Sequence, residues 1–284
     1  MTNHALMENM YLFISTLKEY KISPIFVFDG KPPSEKKELL ELRKNEKKEA
    51  EKQLLELKEK LEETPVADKE SILYEMEQLR RKTLKVRNED IQKVKQLMDA
   101  YGVAHYTAPN EADQMCAYLV NSGKAWACMS DDMDMFLYGC PRIIRNLSLM
   151  NRTTTLYDTN AILTDLEMSL REFCEIMVLS GTDYNLDSDT SLKETIQWNY
   201  RYKEYVLKHS DNPMTFYVWL IKNTKYIKDY YKLLKTYQLF QYSAYCETYT
   251  QYPWKDTSTL KENMDEVKQI MSKEGFIFQT SVLT

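Results

Sequence analysis

At 129–139 the chain reads MSDDMDMFLYG, three aspartates set among methionine, phenylalanine, leucine and tyrosine, directly after the apolar run AWACM at 125–129. A D-x-D pair flanked by apolar side chains is not an ordinary solvated loop. It reads as a strand that runs into a buried turn, with Met129 in the strand, Asp132 and Asp134 beyond its carboxyl end, and residues 135–138 returning to the core. In open parallel sheets, sites form outside the carboxyl ends of the strands. An EF-hand is excluded because the loop lacks the required glycine and terminal glutamate. Asp131 reads as a turn or cap residue.

Working outward, 5–20 (ALMENMYLFISTLKEY) has helical periodicity, and 22–30 (ISPIFVFDG) is a β-branched and aromatic run read as a buried strand ending at Asp29. Residues 31–101 are dense in Glu, Lys and Leu and break at TPVAD (64–68). They read as two long helices joined by a turn around Pro65, an insertion rather than part of a sheet. From Gly102 the texture alternates: a strand VAHY (103–106), a helix starting near Asn110 as N-cap, the strand AWACM, a strand RIIRNL (142–147) and an extended TTTLY (153–157). A helix over roughly 168–180 then leads to the turn SGTDYN (180–185), and the last hundred or so residues are Tyr- and Lys-rich and read as helical. Strand, helix, strand at these spacings predicts an α/β fold, a mostly parallel sheet flanked by helices.

The 284 residues are 43% hydrophobic, enough for a substantial core, and the formal charge of −5 gives no global basic field, so nucleic-acid binding would have to come from local patches. Five dispersed cysteines with no C-x-x-C pair, and three scattered histidines, read as reduced thiols in an intracellular protein without zinc. No run is long and apolar enough to span a bilayer, and no secretion signal is read.

The acidic residues recur in one kind of place. Asp29 follows PIFVF, Glu111 and Asp113 follow VAHY, Asp132 and Asp134 follow AWACM, and Asp183 lies in a turn after an apolar helix. Singly these have plain readings: Asp29 as a turn or cap residue, Glu111 and Asp113 as acids favoured in a first helical turn. Glu111 and Asp113 stand at i and i+2, so they reach a common site only beyond the helix end. If all six converge, two carboxylates about 4 Å apart repel by roughly 4 kcal/mol at an effective dielectric near 20, and a cation would offset this. All-oxygen ligands favour Mg²⁺ or Mn²⁺ over zinc, and paired ions suit in-line displacement at a phosphodiester.

The segments PIFVFDGKPP (24–33), PNEADQMCAYLV (109–120), SDDMDMFLYG (130–139) and LSGTDYN (179–185), in this order and spacing, resemble the flap endonuclease, XPG-type family of 5′ nucleases. Its patterns are close to VFDGKPP, SEAEAQCA, TEDMDxLxFG and LLGSDY. The resemblance covers roughly 1–184 and implies a PIN-like α/β sheet with a long helical arch insertion, here about 34–100, followed by a helical region at 185–284. It implies ligation of two Mg²⁺ (or Mn²⁺) ions by Asp29, Glu111, Asp113, Asp132, Asp134 and Asp183. Asp113 stands where the family more often has Glu. The family's arch opens with a Lys and an Arg facing the scissile phosphate, at positions matching Lys36 and Arg43, and their spacing of seven would put both on one helix face. Lys37, Lys44, Lys47, Arg80, Arg81 and Lys82 lie near the two ends of the insertion, where a folded-back hairpin would gather positive charge for a nucleic-acid strand.

Two departures stand out. The resemblance implies a Gly-containing segment and a first strand with a further metal-binding Asp ahead of Met1, so the core reads as N-terminally incomplete. After SGTDYN the family's glycine-rich helix-hairpin-helix is replaced by LDSDTSLKETIQWNYRYKEYVLKHS. Trp198, Tyr200, Tyr202, Lys203 and Lys208 read there either as a basic, aromatic surface or as tyrosines packed on a helical core. The expected function is a metal-dependent, structure-specific DNA endonuclease of 5′-flap type, with 5′–3′ exonuclease action on the same site, in DNA replication and repair. The alternatives are a weakened or inactive relative that binds DNA or protein, and an RNA-directed PIN-type nuclease. The expected partner is DNA with single-strand/double-strand junctions. A monomer is expected, without a sliding-clamp docking motif, in the nucleus or wherever DNA is replicated.

Overall fold

A computed structural model describes residues 3–63, 69–184, 190–209 and 213–278. In chain order they form α1 (Asn3–Glu19), β1 (Ile25–Phe28), α2 (Lys37–Glu63), α3 (Lys69–Thr83), α4 (Asn88–Ala100) and β2 (Ala104–Thr107). Then come α5 (Ala112–Asn121), β3 (Cys128–Met129), α6 (Asp134–Leu137), β4 (Arg142–Ser148), β5 (Thr153–Asp158), α7 (Thr159–Asp165) and α8 (Leu170–Ser180). The rest is helical: α9 (Leu192–Lys208), α10 (Phe216–Asn223), α11 (Tyr230–Leu239), α12 (Tyr242–Thr250) and α13 (Met264–Lys273).

The chain divides into two compact units, one of residues 1–26, 37–106 and 255–284, the other of 27–36 and 107–254. The first is built on α1, α4 and α13, whose buried Met7, Ile14, Val94, Leu97, Met98, Val267 and Met271 form its core. On α4, Val94, Leu97 and Met98 recur at the spacing of one helix face. The insertion belongs to this unit. Its described residues form three helices rather than two, because a break at 84–87 separates α3 from α4. No Gly or Pro marks that break; Asp90 Oδ2 accepts the Arg87 N–H at 2.9 Å and starts a new helix there. The expected turn around Pro65 lies outside the described residues. Lys47 Nζ on α2 donates to the Leu84 carbonyl at 3.0 Å, bringing the start of α2 beside the end of α3.

In the second unit β3 runs parallel to β4, with Cys128 opposite Ile143, and β4 runs antiparallel to β5, with Ile143 opposite Tyr157. The β4–β5 connection, residues 149–152, is too short for a crossover, so that pair must be antiparallel. The α/β class therefore holds, with small sheets of two and three strands. Two strands differ from expectation. β1 is half-buried rather than buried, since a two-stranded sheet leaves an edge of each strand open. AWACM pairs only at Cys128–Met129, with Met129 38% exposed, because the Ala125 N–H closes the turn after α5 on Leu119 and the Trp126 carbonyl takes the Arg142 guanidinium.

Helices α5, α6, α8, α11 and α12 close over this sheet with buried Met115, Met135, Phe136, Val178, Leu233 and Tyr249. α8 opens on a capping box: Ser169 Oγ accepts the Glu172 N–H at 3.2 Å, and Glu172 Oε2 accepts the Ser169 N–H at 2.8 Å. The α9 aromatics mostly pack: Tyr202 donates to the Met214 carbonyl at 2.7 Å and lies against Phe216, while Trp198 meets Trp219 and Tyr226. Lys203 pairs with Glu172 at 3.5 Å, and Tyr200 remains exposed.

Candidate active site

The second unit brings the sequence-selected acids to one place through three connections. The backbone after β1 is pinned to the loop before α5: the Gly30 N–H donates to the Asn110 carbonyl at 2.7 Å, and the Lys31 N–H to Pro109 at 3.3 Å. Gly30 is required by this approach, since a Cβ there would lie 1.9 Å from the Ala108 carbonyl oxygen. Because Pro109 and Asn110 are spent on that contact, α5 starts at Ala112 with Glu111 as N-cap, later than the Asn110 cap expected from sequence. Asp29 Oδ1 accepts the Ala112 N–H at 2.9 Å, so it does cap a helix, one that lies elsewhere in the chain. With Glu111 extended and Asp113 in the first turn, both reach beyond the helix end.

The second connection is the DDMD turn. The Asp132 N–H donates to Ser130 Oγ at 3.1 Å, and Asp132 Oδ1 accepts the Asp134 N–H at 2.8 Å. Asp131 faces away, accepting the Asn146 N–H at 2.9 Å and tying the turn to the end of β4. Residues 135–138 are buried as read. The third connection is the 3-10 turn Ser34–Lys36, held to α11 by a Glu35–Lys235 ion pair of 2.7 Å.

That turn corrects one expectation. Lys36 closes it, its N–H on the Pro33 carbonyl, and so lies ahead of α2, which begins at Lys37, rather than within the helix that carries Arg43. The Lys36 side chain is only 8% exposed. Its ammonium lies 2.6 Å from Glu111 Oε1, 3.9 Å from Asp183 Oδ2 and 4.8 Å from the Tyr184 ring centre. The Tyr184 hydroxyl donates to Glu111 Oε2. Tyr184 was not singled out from sequence; its place directly after Asp183 in SGTDYN was the available signal.

The electrostatics show how the acids share a field. Burial, then Asp132, pushes the Asp134 carboxyl up to about 7, with Asp183 and Asp113 adding to the effect. Burial, then Asp132, also raises Asp113 to about 6, with Glu111 and Asp29 contributing and Lys36 opposing. Burial alone would lower the Lys36 pKa, but Glu111, with Asp183 and Asp113 behind it, holds it above the ordinary lysine value. The six carboxylates are thus linked through Asp113 and Asp134, which feel the other four acids and Lys36.

Among the described residues no three acidic, histidine or cysteine side chains are already arranged as a cage for an ion. The donor set nonetheless fits hard divalent cations: it is all oxygen, and two of its carboxyls are driven toward protonation by burial and then by neighbouring negative charge that Lys36 only partly offsets. Asp29, Glu111, Asp113, Asp132, Asp134 and Asp183 could hold such ions. The basic residues at the ends of the insertion lie in the first unit. Lys37, Arg43, Lys44 and Lys47 are on α2; Arg80, Arg81 and Lys82 form the last turn of α3, where cations suit the helix dipole. Glu77 draws on that charge, 3.9 Å from Arg80 and 3.7 Å from Arg81.

Comparison with known proteins matches residues 1–50 to the XPG N-terminal domain and 102–183 to the XPG I-region. Flap endonuclease 1 of Methanocaldococcus jannaschii is 33% identical over 169 residues, 60% of this chain and 49% of that protein. Flap endonuclease 1 of Zea mays is 34% identical over 186 residues, 64% of this chain and 46% of that protein. The chain spans about half the length of the curated relatives it matches. The catalytic core of Rad2 in complex with DNA substrate superposes with a TM-score of 0.60 at 20% identity, over 95% of this chain and 80% of that one. Human GEN1 in complex with Holliday junction DNA gives 0.56 at 14% identity, over 95% and 60%. At such identities these two show the fold. The two XPG regions and the flap endonuclease 1 relatives support a flap endonuclease, XPG-type nuclease, and the solved structures support its fold.

Proposed function

We propose that this chain is the core of a structure-specific DNA endonuclease of 5′-flap type, with 5′–3′ exonuclease action on the same site, that hydrolyses phosphodiesters in DNA replication and repair. The observation that carries the reading is the gathering of Glu111, Asp113, Asp134 and Asp183 around the Lys36 ammonium, with Asp29 and Asp132 beside them and two carboxyl groups raised by burial and then by their acidic neighbours. Two Mg²⁺ or Mn²⁺ ions held by Asp29, Glu111, Asp113, Asp132, Asp134 and Asp183 would supply an activated water and a stabilised leaving oxygen. The chain's own residues do the rest. Asp29 and the Asp132–Asp134 turn fix carboxylates on backbone N–H groups, so their geometry survives substrate entry. Lys36 presents a cation where charge grows on a phosphate, and Arg43 with the basic ends of α2 and α3 would contact the DNA backbone.

The substrate is DNA with a junction of single and double strands, and the place of action is where DNA is replicated and repaired, the nucleus in a eukaryotic source. No helix among the described residues is long and apolar enough to cross a membrane. A second reading, a relative that binds DNA without cutting it, is favoured by one contact: Glu111 is held by Lys36 and Tyr184. Incubating the chain with labelled 5′-flap DNA and Mg²⁺, beside Asp134→Ala, separates the two. We expect cleavage by the parent that drops by several orders of magnitude in the variant while DNA binding persists. Equal products from both would sink the catalytic reading.

A further inference from the structure

Lys36 and Glu111 are each 8% exposed, and they are bound to one another. Both Glu111 oxygens are engaged by side chains, Oε1 by the Lys36 ammonium at 2.6 Å and Oε2 by the Tyr184 hydroxyl. Tyr184 serves the two partners at once: its hydroxyl fixes the carboxylate, and its ring face supports the ammonium at 4.8 Å. Asp29 and Asp132 are engaged differently, each accepting a backbone N–H on one oxygen. Glu111 is therefore the acid that the Lys36 ammonium meets most closely, at 2.6 Å, with Asp183 farther off at 3.9 Å.

An ammonium and a divalent ion on the same carboxylate would repel one another, and in a site this sheltered the repulsion is weakly screened. One must yield. The Glu35–Lys235 pair tethers the turn to α11, whereas the Lys36 ammonium ends a flexible four-carbon stem that can re-aim it. We infer that Lys36 is a built-in counter-cation for Glu111, which it surrenders when a divalent ion binds, leaving the ammonium on the Tyr184 face to meet a phosphate. Tyr184 is the positioning residue of this exchange. The inference rests on the reading of the site as metal-dependent, and it adds that loading the ion and arming Lys36 are one event.

Mn²⁺ binding to the full chain, measured by titration without DNA, tests it. Lys36→Met, which keeps length but not charge, should bind Mn²⁺ about tenfold more tightly, the scale of losing one sheltered competitor. Lys36→Arg should stay within about twofold of the parent, because a cation still holds the carboxylate. In a Glu111→Gln background Lys36→Met should bring no gain. Mass-spectrometric acylation of the unaltered protein gives a measurement that needs no variant: Mn²⁺ should raise labelling of the Lys36 amine about threefold or more, since a paired, buried amine reacts slowly. Unchanged or weaker Mn²⁺ binding by Lys36→Met, or Lys36 labelling indifferent to Mn²⁺, overturns the inference. Exchange seen without flap cleavage would keep it and remove the nuclease reading; cleavage without exchange would do the reverse. No Mn²⁺ binding by any form would remove both.

Discussion

Replacing Asp134 by Asn should stabilise the metal-free protein while abolishing its proposed chemistry. Burial and Asp132, chiefly, hold this half-buried carboxyl up at about 7, against an ordinary value of 3.8. The folded-state value lies above the unfolded one, so ionisation costs the fold nothing below about pH 4. The cost grows as pH rises and is complete above about 7. At roughly 1.4 kcal/mol for each tenfold change in the proton equilibrium, the gap corresponds to about 4 kcal/mol at most. Residual solvent and side-chain relaxation around a half-buried group reduce this to about 2 kcal/mol. For a protein of this size that is roughly 4–8 °C in Tm. Thermal melts followed by circular dichroism, in a chelating buffer at pH 8, should show Asp134→Asn melting higher than the parent, with the advantage fading toward pH 4. A variant no more stable than the parent at pH 8, or an advantage independent of pH, would refute the claim that burial and the neighbouring acids hold this carboxyl up.

Two further substitutions probe the scaffold. Gly30→Ala would force a Cβ onto the Ala108 carbonyl and part the strand end from the α5 loop, so denaturant melts should show a loss of about 2 kcal/mol or more. Ser169→Ala removes the cap of α8 and should cost about 1 kcal/mol. Burial pushes the Glu172 carboxyl up, but hydrogen bonds from Ser169, with Lys203 nearby, outweigh it and hold its pKa below the ordinary value. The parent's advantage over Ser169→Ala should therefore be full at neutral pH and shrink as pH falls through the acidic range, which paired denaturant melts at pH 7 and pH 3 would check.

The site was legible in the sequence wherever chemistry sat beside a change of texture. Each acid follows an apolar run, and the four motifs keep their order, so Asp29, Glu111, Asp113, Asp132, Asp134 and Asp183 could be picked out without coordinates. What stayed hidden depends on contacts between distant residues. Nothing in the periodicity around residue 36 says that its ammonium meets Glu111, or that Tyr184 stands against both. The same blindness affected the insertion. A break marked by the Asp90 carboxylate on the Arg87 N–H carries no Gly or Pro, so α3 and α4 read as one helix. Strand lengths were overestimated for AWACM because Trp126 serves a side-chain contact rather than a ladder.

The ion pair between Glu35 and Lys235 bears on how such a chain could be shortened. The four motifs end at residue 185, which invites the view that everything after it is accessory. Yet the turn carrying Lys36 is tethered to α11, and Phe240 packs its ring against both Tyr184 and Tyr138. Tyr118 of α5 is stacked on Tyr242 and Trp254. A truncation at the end of the motifs would keep every acid and lose the walls that aim them. The smallest autonomous piece of this protein that could hold its site must extend through Trp254.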